Sequence, residues 1–262
     1  IVRTSLSEMK PDWVINASAY TAVDKAESDS VAAYSVNAIG PEILARCCAE
    51  LGAKLIHIST DYVYPGEGSA PLIEDDAVGP TGVYGASKLA GELLVSRACP
   101  EHIILRTAWV FGASGGNFVK TMLRLGADRQ QLTIVSDQWG GPTSACGIAR
   151  AIASIVGVVT DRDTRSENLS HLWGTYNFSG EPHVNWAQFA QAIFSEAVSM
   201  GLVSSEPVIE PIKTEQYPTP AKRPFNSRLS NRKVADVFGV QPDDWRLSLI
   251  DMLADLREER GE

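Results

Sequence analysis

Lys54-Leu-Ile-His-Ile-Ser-Thr60, followed at once by Asp61 and a loop rich in glycine, proline and acids, decides how the rest of this chain is read. An apolar run this short, bounded by turn signals and alternating with helical sequence, is a strand of a parallel sheet. In open parallel sheets ligands collect beyond the carboxyl ends of the strands. Ser59, Thr60 and Asp61 emerge there, where a hydroxyl can hydrogen-bond a substrate oxygen. A plainer role, in which Thr60 and Asp61 only cap a turn, competes with this until the next helix is read.

That helix covers residues 83–98, with Pro100 beyond its end, and begins Tyr84-Gly-Ala-Ser-Lys88. Of the seven tyrosines, only Tyr84 has a lysine four residues on. Helical spacing puts i and i+4 on one face, so the ammonium sits beside the phenol. A phenol with an unperturbed pKa near ~10 is a poor acid-base at neutral pH, and a neighbouring cation favours its ionised form. The pair therefore reads as a tuned proton donor, the group needed when a carbonyl is reduced to an alcohol. Tyr84, Lys88 and Thr60 are the catalytic candidates.

Outward from this centre, strands alternate with helices. Residues 13–18 read as a strand, and 24–51 as a helical stretch broken near Gly40-Pro41 and stopped by Gly52. Residues 103–111 form a strand that runs into Gly112, Gly115 and Gly116. A helix over 117–128, a short strand over 132–135 and an apolar helix over 144–158 follow. Residues 161–170 read as an exposed loop, 174–178 as a strand and 185–200 as a helix. The remainder holds a strand over 208–213, a proline-rich loop over 217–224 and helices over 230–238 and 243–259. The predicted fold is α/β: a Rossmann-type doubly wound parallel sheet over residues 1–180. A smaller α+β substrate lobe spans 181–262, with 112–142 contributing to it.

Bulk properties narrow the function classes. A hydrophobic content of 44% with 21% charged residues is that of an ordinary globular protein. No run of about 18 apolar residues exists, so no membrane span is expected. A net charge of -9 argues against nucleic-acid partners, which need a basic face. Cys47, Cys48, Cys99 and Cys146 form no C-x-x-C pair, a reducing-compartment pattern. His57, His102, His171 and His183 lack metal-ligand spacing, and His57 and His102 sit in apolar runs as core residues. No metal is expected.

Six segments carry a resemblance over nearly the whole chain. They are residues 16–27 (Asn-Ala-Ser-Ala-Tyr-Thr-Ala-Val-Asp-Lys-Ala-Glu), 59–63 (Ser-Thr-Asp-Tyr-Val), 84–92, 106–110 (Arg-Thr-Ala-Trp-Val), 137–143 (Asp-Gln-Trp-Gly-Gly-Pro-Thr) and 217–228. On these the chain resembles the extended short-chain dehydrogenase/reductases, and within them the reductases of dTDP-4-dehydro-L-rhamnose. Family members open with a strand and a glycine-rich turn that cradles the cofactor pyrophosphate. Here no G-x-G-x-x-G occurs and no glycine-rich turn follows the first strand. The expectation is that the sequence starts inside the family pattern, in the helix before its fourth strand.

The resemblance implies reduction of the C4 ketone of that dTDP-sugar with NADPH or NADH, the last step of dTDP-rhamnose biosynthesis. Tyr84 would protonate the oxygen, while Lys88 lowers the Tyr84 pKa and bonds the nicotinamide ribose. Thr60 would polarise the carbonyl. Ser18, Ala19 and Tyr20 match a loop that touches the cofactor, and Asp61 and Trp109 match sugar contacts. Lys222, Arg223 and Arg228, with Asn226 nearby, would face the substrate pyrophosphate, and Asn117 and Lys120 the nucleotide. A cytoplasmic enzyme, compatible with a homodimer, is implied. Two rivals share the fold: a regulatory subunit without catalysis, like the β subunit of methionine adenosyltransferase, and a nucleotide-sugar epimerase. An epimerase recycles its cofactor, whereas a reductase consumes it.

Overall fold

The computed structural model describes residues 2–259. In chain order the first half contains α1 (Val2–Met9), β1 (Trp13–Asn16), α2 (Val23–Ala26), α3 (Ser30–Tyr34), α4 (Gly40–Leu51), β2 (Lys54–Thr60), α5 (Val83–Ala98), β3 (His102–Thr107), β4 (Val110–Phe111), α6 (Phe118–Asp128) and β5 (Gln131–Val135). The second contains β6 (Trp139–Gly140), β7 (Thr143–Ser144), α7 (Ala145–Thr164), β8 (Gly174–Asn177), β9 (Val184–Asn185), α8 (Trp186–Ser199), β10 (Val208–Ile212), β11 (Asn226–Ser227), α9 (Arg232–Phe238) and α10 (Trp245–Glu259).

The main sheet has the order β1-β2-β3-β8, with every pairing parallel. Successive side chains of a strand point to opposite faces, and both faces are covered. Ile56, Ile103 and Leu105 pack on Ile148, Ile152 and Ile155 of α7. Leu55 and Ile104 pack on Ala45 and Cys48 of α4 and Val95 of α5. Helices on both sides of a parallel sheet make the doubly wound α/β architecture expected from the sequence. The register pairs Thr60 with Thr107, so β2 and β3 end level at the carboxyl edge.

A second apolar core joins α6, α8 and α10, centred on Phe189, Ile193, Phe194, Trp245 and Leu253. Here β5 pairs in parallel with β10, and β6 pairs with β11 and β9. These pairings tie residues 131–140 to the C-terminal third of the chain.

Three local readings are corrected. The break in the helical stretch falls between α2 and α3, not at Gly40-Pro41; a widened π turn over Ser35–Ile39 leads straight into α4, where Pro41 occupies the first turn and needs no amide partner. Residues 103–111 are two strands, because Trp109 adopts a left-handed backbone (φ 50°) that ends the first. Finally, α7 continues to Thr164: the Asp161–Arg165 ion pair at 2.8 Å and the Lys54–Asp163 pair at 2.9 Å hold the polar last turns.

Candidate active site

The catalytic candidates meet where β2 ends and α5 begins. Thr60 Oγ1 accepts from the Tyr62 amide at 3.3 Å and donates to Asp61 Oδ1 at 3.0 Å. It therefore does cap the short 3-10 turn Asp61–Val63. The Thr60 hydroxyl also acts on the buried Tyr84 phenol, opposing the rise in its pKa. The start of α5 comes this close because Gly85 has no side chain; a Cβ there would run into the Tyr62 carbonyl oxygen. The Tyr62 ring stands edge-on to Tyr84, with centroids 5.4 Å apart.

Burial pushes the Tyr84 phenol up to about 12, with the Thr60 hydroxyl opposing the shift and the Asp61 charge adding to it. Lys88 is buried on the same helix, and its Nζ donates to the Ile58 carbonyl at 2.7 Å. That ammonium also lies 3.5 Å from His57 Nε2. Burial lowers Lys88 to about 8, against the opposing pull of Glu92. The cation is directed at the β2 backbone, and Thr60 is the group that draws the phenol down. Asp61 is raised to about 6 by burial, the Ser227 and Thr60 hydroxyls opposing. Asp61 Oδ2 and Ser227 Oγ are buried without a well-formed partner.

Ser18, Ala19 and Tyr20 follow β1 at the same edge. Ser18 donates through both its amide and its hydroxyl to Asn16 Oδ1, at 3.2 and 2.7 Å. Tyr20 exchanges backbone hydrogen bonds with the Asn37 amide, at 2.8 and 3.1 Å, and Asn37 donates to Ser87 of α5 at 3.0 Å. Fully buried Asn37 thereby locks the Ser18–Tyr20 loop to the Tyr84 helix. The sequence reading missed it. An asparagine among apolar residues in mid-helix is the signal, because a buried amide requires partners.

Beside Tyr62 opens a cavity of about 720 Å³, lined by Trp109, Trp186, Phe118, Asp24, Arg223 and Ser227 among others. Trp109 stacks flat on Trp186 at 3.5 Å, and its ring fills the space over Gly140. Arg223 donates through Nη2 to Asp24 at 2.6 Å, while its Nη1 is buried without a partner. The remaining expected substrate contacts lie elsewhere. Asn226 spends its amide on the Glu67 and Ala70 carbonyls and accepts from Arg228 Nε, so these two brace a loop. Lys222 is exposed. Asn117 caps α6 and donates to the Gly112 carbonyl; Lys120 donates to that of Ala113, so both brace the glycine-rich turn.

Comparison with known proteins reads directly onto this arrangement. The RmlD substrate binding domain family matches residues 1–258. A dTDP-4-dehydrorhamnose reductase of Aggregatibacter actinomycetemcomitans is 44% identical over 249 residues, covering 95% of this chain and 83% of the relative. The chain belongs to the dTDP-4-dehydrorhamnose reductase family. The enzyme of that name from Escherichia coli K12 is 39% identical, with 97% and 83% covered. Among solved structures, the Clostridium acetobutylicum family member superposes with a TM-score of 0.86 at 38% identity, covering 98% of this chain and 85% of that one. A Bacillus anthracis member in complex with NADP gives 0.82 at 34%, with 97% and 84% covered.

The residues present fit the nicotinamide end of such a cofactor. Ser59 Oγ and Thr107 Oγ1, near the carboxyl ends of β2 and β3, are buried hydroxyls without partners. A pyrophosphate turn is another matter. Gly79, Gly82 and Gly85 are spaced G-x-x-G-x-x-G, but they enter α5 from a long loop rather than from a strand. Among the described residues, no three His, Cys, Asp or Glu side chains are grouped to hold a metal ion, and no helix is long and apolar enough to cross a membrane.

Proposed function

We infer that this chain reduces the C4 ketone of dTDP-4-dehydro-L-rhamnose to the alcohol of dTDP-L-rhamnose, closing dTDP-rhamnose biosynthesis. The observation that carries this reading is the buried Tyr84 phenol with Thr60 acting on it, beside the Trp109–Arg223 cavity, in a chain 44% identical to a reductase of that substrate. NADPH or NADH, when bound, supplies the hydride that adds to C4. Ser18, Ala19, Tyr20, Tyr84 and Lys88 would hold its nicotinamide ribose end. In this reading residues 1–180 serve the cofactor, and 181–262 with 112–142 serve the sugar nucleotide.

Tyr84 gives its proton to the ketone oxygen as negative charge develops there. A phenol held near 12 keeps that proton at neutral pH, the form a general acid needs. Thr60 gives its one hydroxyl proton to Asp61 Oδ1 in this structure, so to polarise the same oxygen it would turn that proton from Asp61 to the substrate. Trp109 and Trp186 offer flat apolar surface, and the free Nη1 of Arg223 suits a phosphate oxygen. Cytoplasmic residence and a homodimer belong to the same reading; the buried free thiols of Cys47, Cys48 and Cys99 suit a reducing compartment. Light scattering measures the dimer.

The test is NADPH absorbance after adding dTDP-4-dehydro-L-rhamnose to the protein, prepared with whatever upstream residues its gene encodes. Loss of one NADPH per sugar is expected. Sugar conversion without net NADPH loss would indicate an epimerase. No turnover by a folded protein would favour the regulatory-subunit reading.

A further inference from the structure

The buried side chain left over by this mechanism is His57, fully enclosed in the middle of β2 and touching Lys88. Its protonation can be worked out from its neighbours. The Ser18 amide can only donate, and it donates to Asn16 Oδ1, which fixes the orientation of that side-chain amide. Asn16 Nδ2 therefore faces His57 Nδ1, at 3.0 Å, and Nδ1 must accept. Burial and the Lys88 charge both hold the imidazole well below its usual pKa, so it is neutral and carries a single proton. That proton sits on Nε2, pointing at Lys88 Nζ 3.5 Å away. Two donors meet there.

Lys88 thus finds no acceptor in His57. Its hydrogen bond to protein is the one to the Ile58 carbonyl, on the backbone of β2. The charged and titratable groups facing it are His57 from β2 and Glu92 from its own helix, which also carries Tyr84 one turn earlier. Glu92 is taken up by Arg106, which binds both carboxylate oxygens at 2.7 to 3.3 Å. We propose that His57 is a positioning residue for the reduction: locked as the Nε2–H tautomer through Ser18 and Asn16, it denies Lys88 a second acceptor on β2 and leaves the remaining ammonium N–H groups for the α5 face carrying Tyr84 and for bound cofactor. The loop that starts the chain of bonds, at Ser18, is the one expected to touch the cofactor. This inference rests on the reading of Lys88 given above.

Two measurements test it. The first is nitrogen-15 NMR of histidine-labelled protein, which reads the tautomer without turnover; Nε2–H is expected, and an Nδ1–H or cationic His57 would overturn the proposal. The second compares His57→Gln, whose carbonyl oxygen can accept from Lys88, with His57→Phe, which keeps the bulk and offers no acceptor. Redirecting one charge-assisted bond should raise the Gln variant's KM for NADPH about tenfold and move the alkaline limb of its pH profile upward by about one unit. The Phe variant should stay within about threefold of the parent KM. Both variants are first checked for native circular dichroism. Equal losses of kcat in both, at every pH and with the limb unmoved, would reduce His57 to packing and sink the idea. A parent protein that shows the Nε2–H tautomer but never consumes NADPH would instead indict the functional reading.

Discussion

Tyr84 and Asp61 lie on either side of Thr60, and burial acts on both in ways that can be measured. Removing only the phenol oxygen, in Tyr84→Phe, leaves the ring against Tyr62 and takes away the proton donor. We expect kcat to fall about 10²–10⁴-fold with native circular dichroism retained; an unchanged rate would exclude Tyr84 as the acid. Asp61 bears on stability. With its pKa raised from 3.8 to about 6, the folded state holds a proton that the unfolded state has lost between those values. Stability contributed at this site therefore falls as pH rises through that window, by about 2–3 kcal/mol in all, and stays lost above it. Denaturant melts from pH 4 to 7 should show that loss in the parent and not in Asp61→Asn; parallel curves would mean Asp61 ionises normally. Tyr84, Lys88 and Thr60 were legible because spacing along one helix and a strand end is written in sequence. His57, Asn37 and Asp24 were not, because each owes its role to a partner from a distant segment.

At the scale of elements, α5 is the piece on which the site depends. It sits against the π turn because Gly91 has no side chain; a Cβ there would strike the Asn37 carbonyl oxygen. Gly91→Ala must move α5 or the turn, and backbone cannot yield as a flexible side chain does. A loss of about 1–3 kcal/mol is expected from overpacking. The shift would also part Ser87 from Asn37 and loosen the Ser18–Tyr20 loop, so KM for the cofactor should rise along with the loss in melting temperature. A variant as stable as the parent would mean the contact relaxes freely. The bounds of α5 were readable because glycine and proline punctuate both ends. The end of α7 was not, since a run of acids and arginines has no apolar period and is held helical by ion pairs. Nor was the break after β3, where the left-handed Trp109 turns its ring onto Trp186, a residue far along the chain.

The whole molecule places the sheet edge that carries Thr60 beside a cavity whose far wall belongs to the C-terminal third, and Asp24 and Arg223 clasp the two together. Asp24 accepts from the Arg223 guanidinium and from the Ala221 amide at 3.1 Å, so one carboxylate on α2 fixes the proline-rich loop. Pairing costs Arg223 only part of its donor set, since Nη1 stays buried and free. A guanidinium held this way can bind an anion in the cavity without touching the reacting carbon. Its contribution should then be the same in the ground state and the transition state, which raises KM on removal and spares kcat. A bond to a charged group contributes about 1.5–3 kcal/mol, so Arg223→Gln should raise KM for the dTDP-sugar about 10–100-fold, with kcat within about threefold. Asp24→Asn removes the carboxylate but leaves the guanidinium, so its KM should rise less than that of Arg223→Gln. Steady-state kinetics on the two variants decides the matter. If Arg223→Gln instead lowers kcat at unchanged KM, the clasp serves the geometry at Tyr84, and the anion site must be sought among the other cations of the loop.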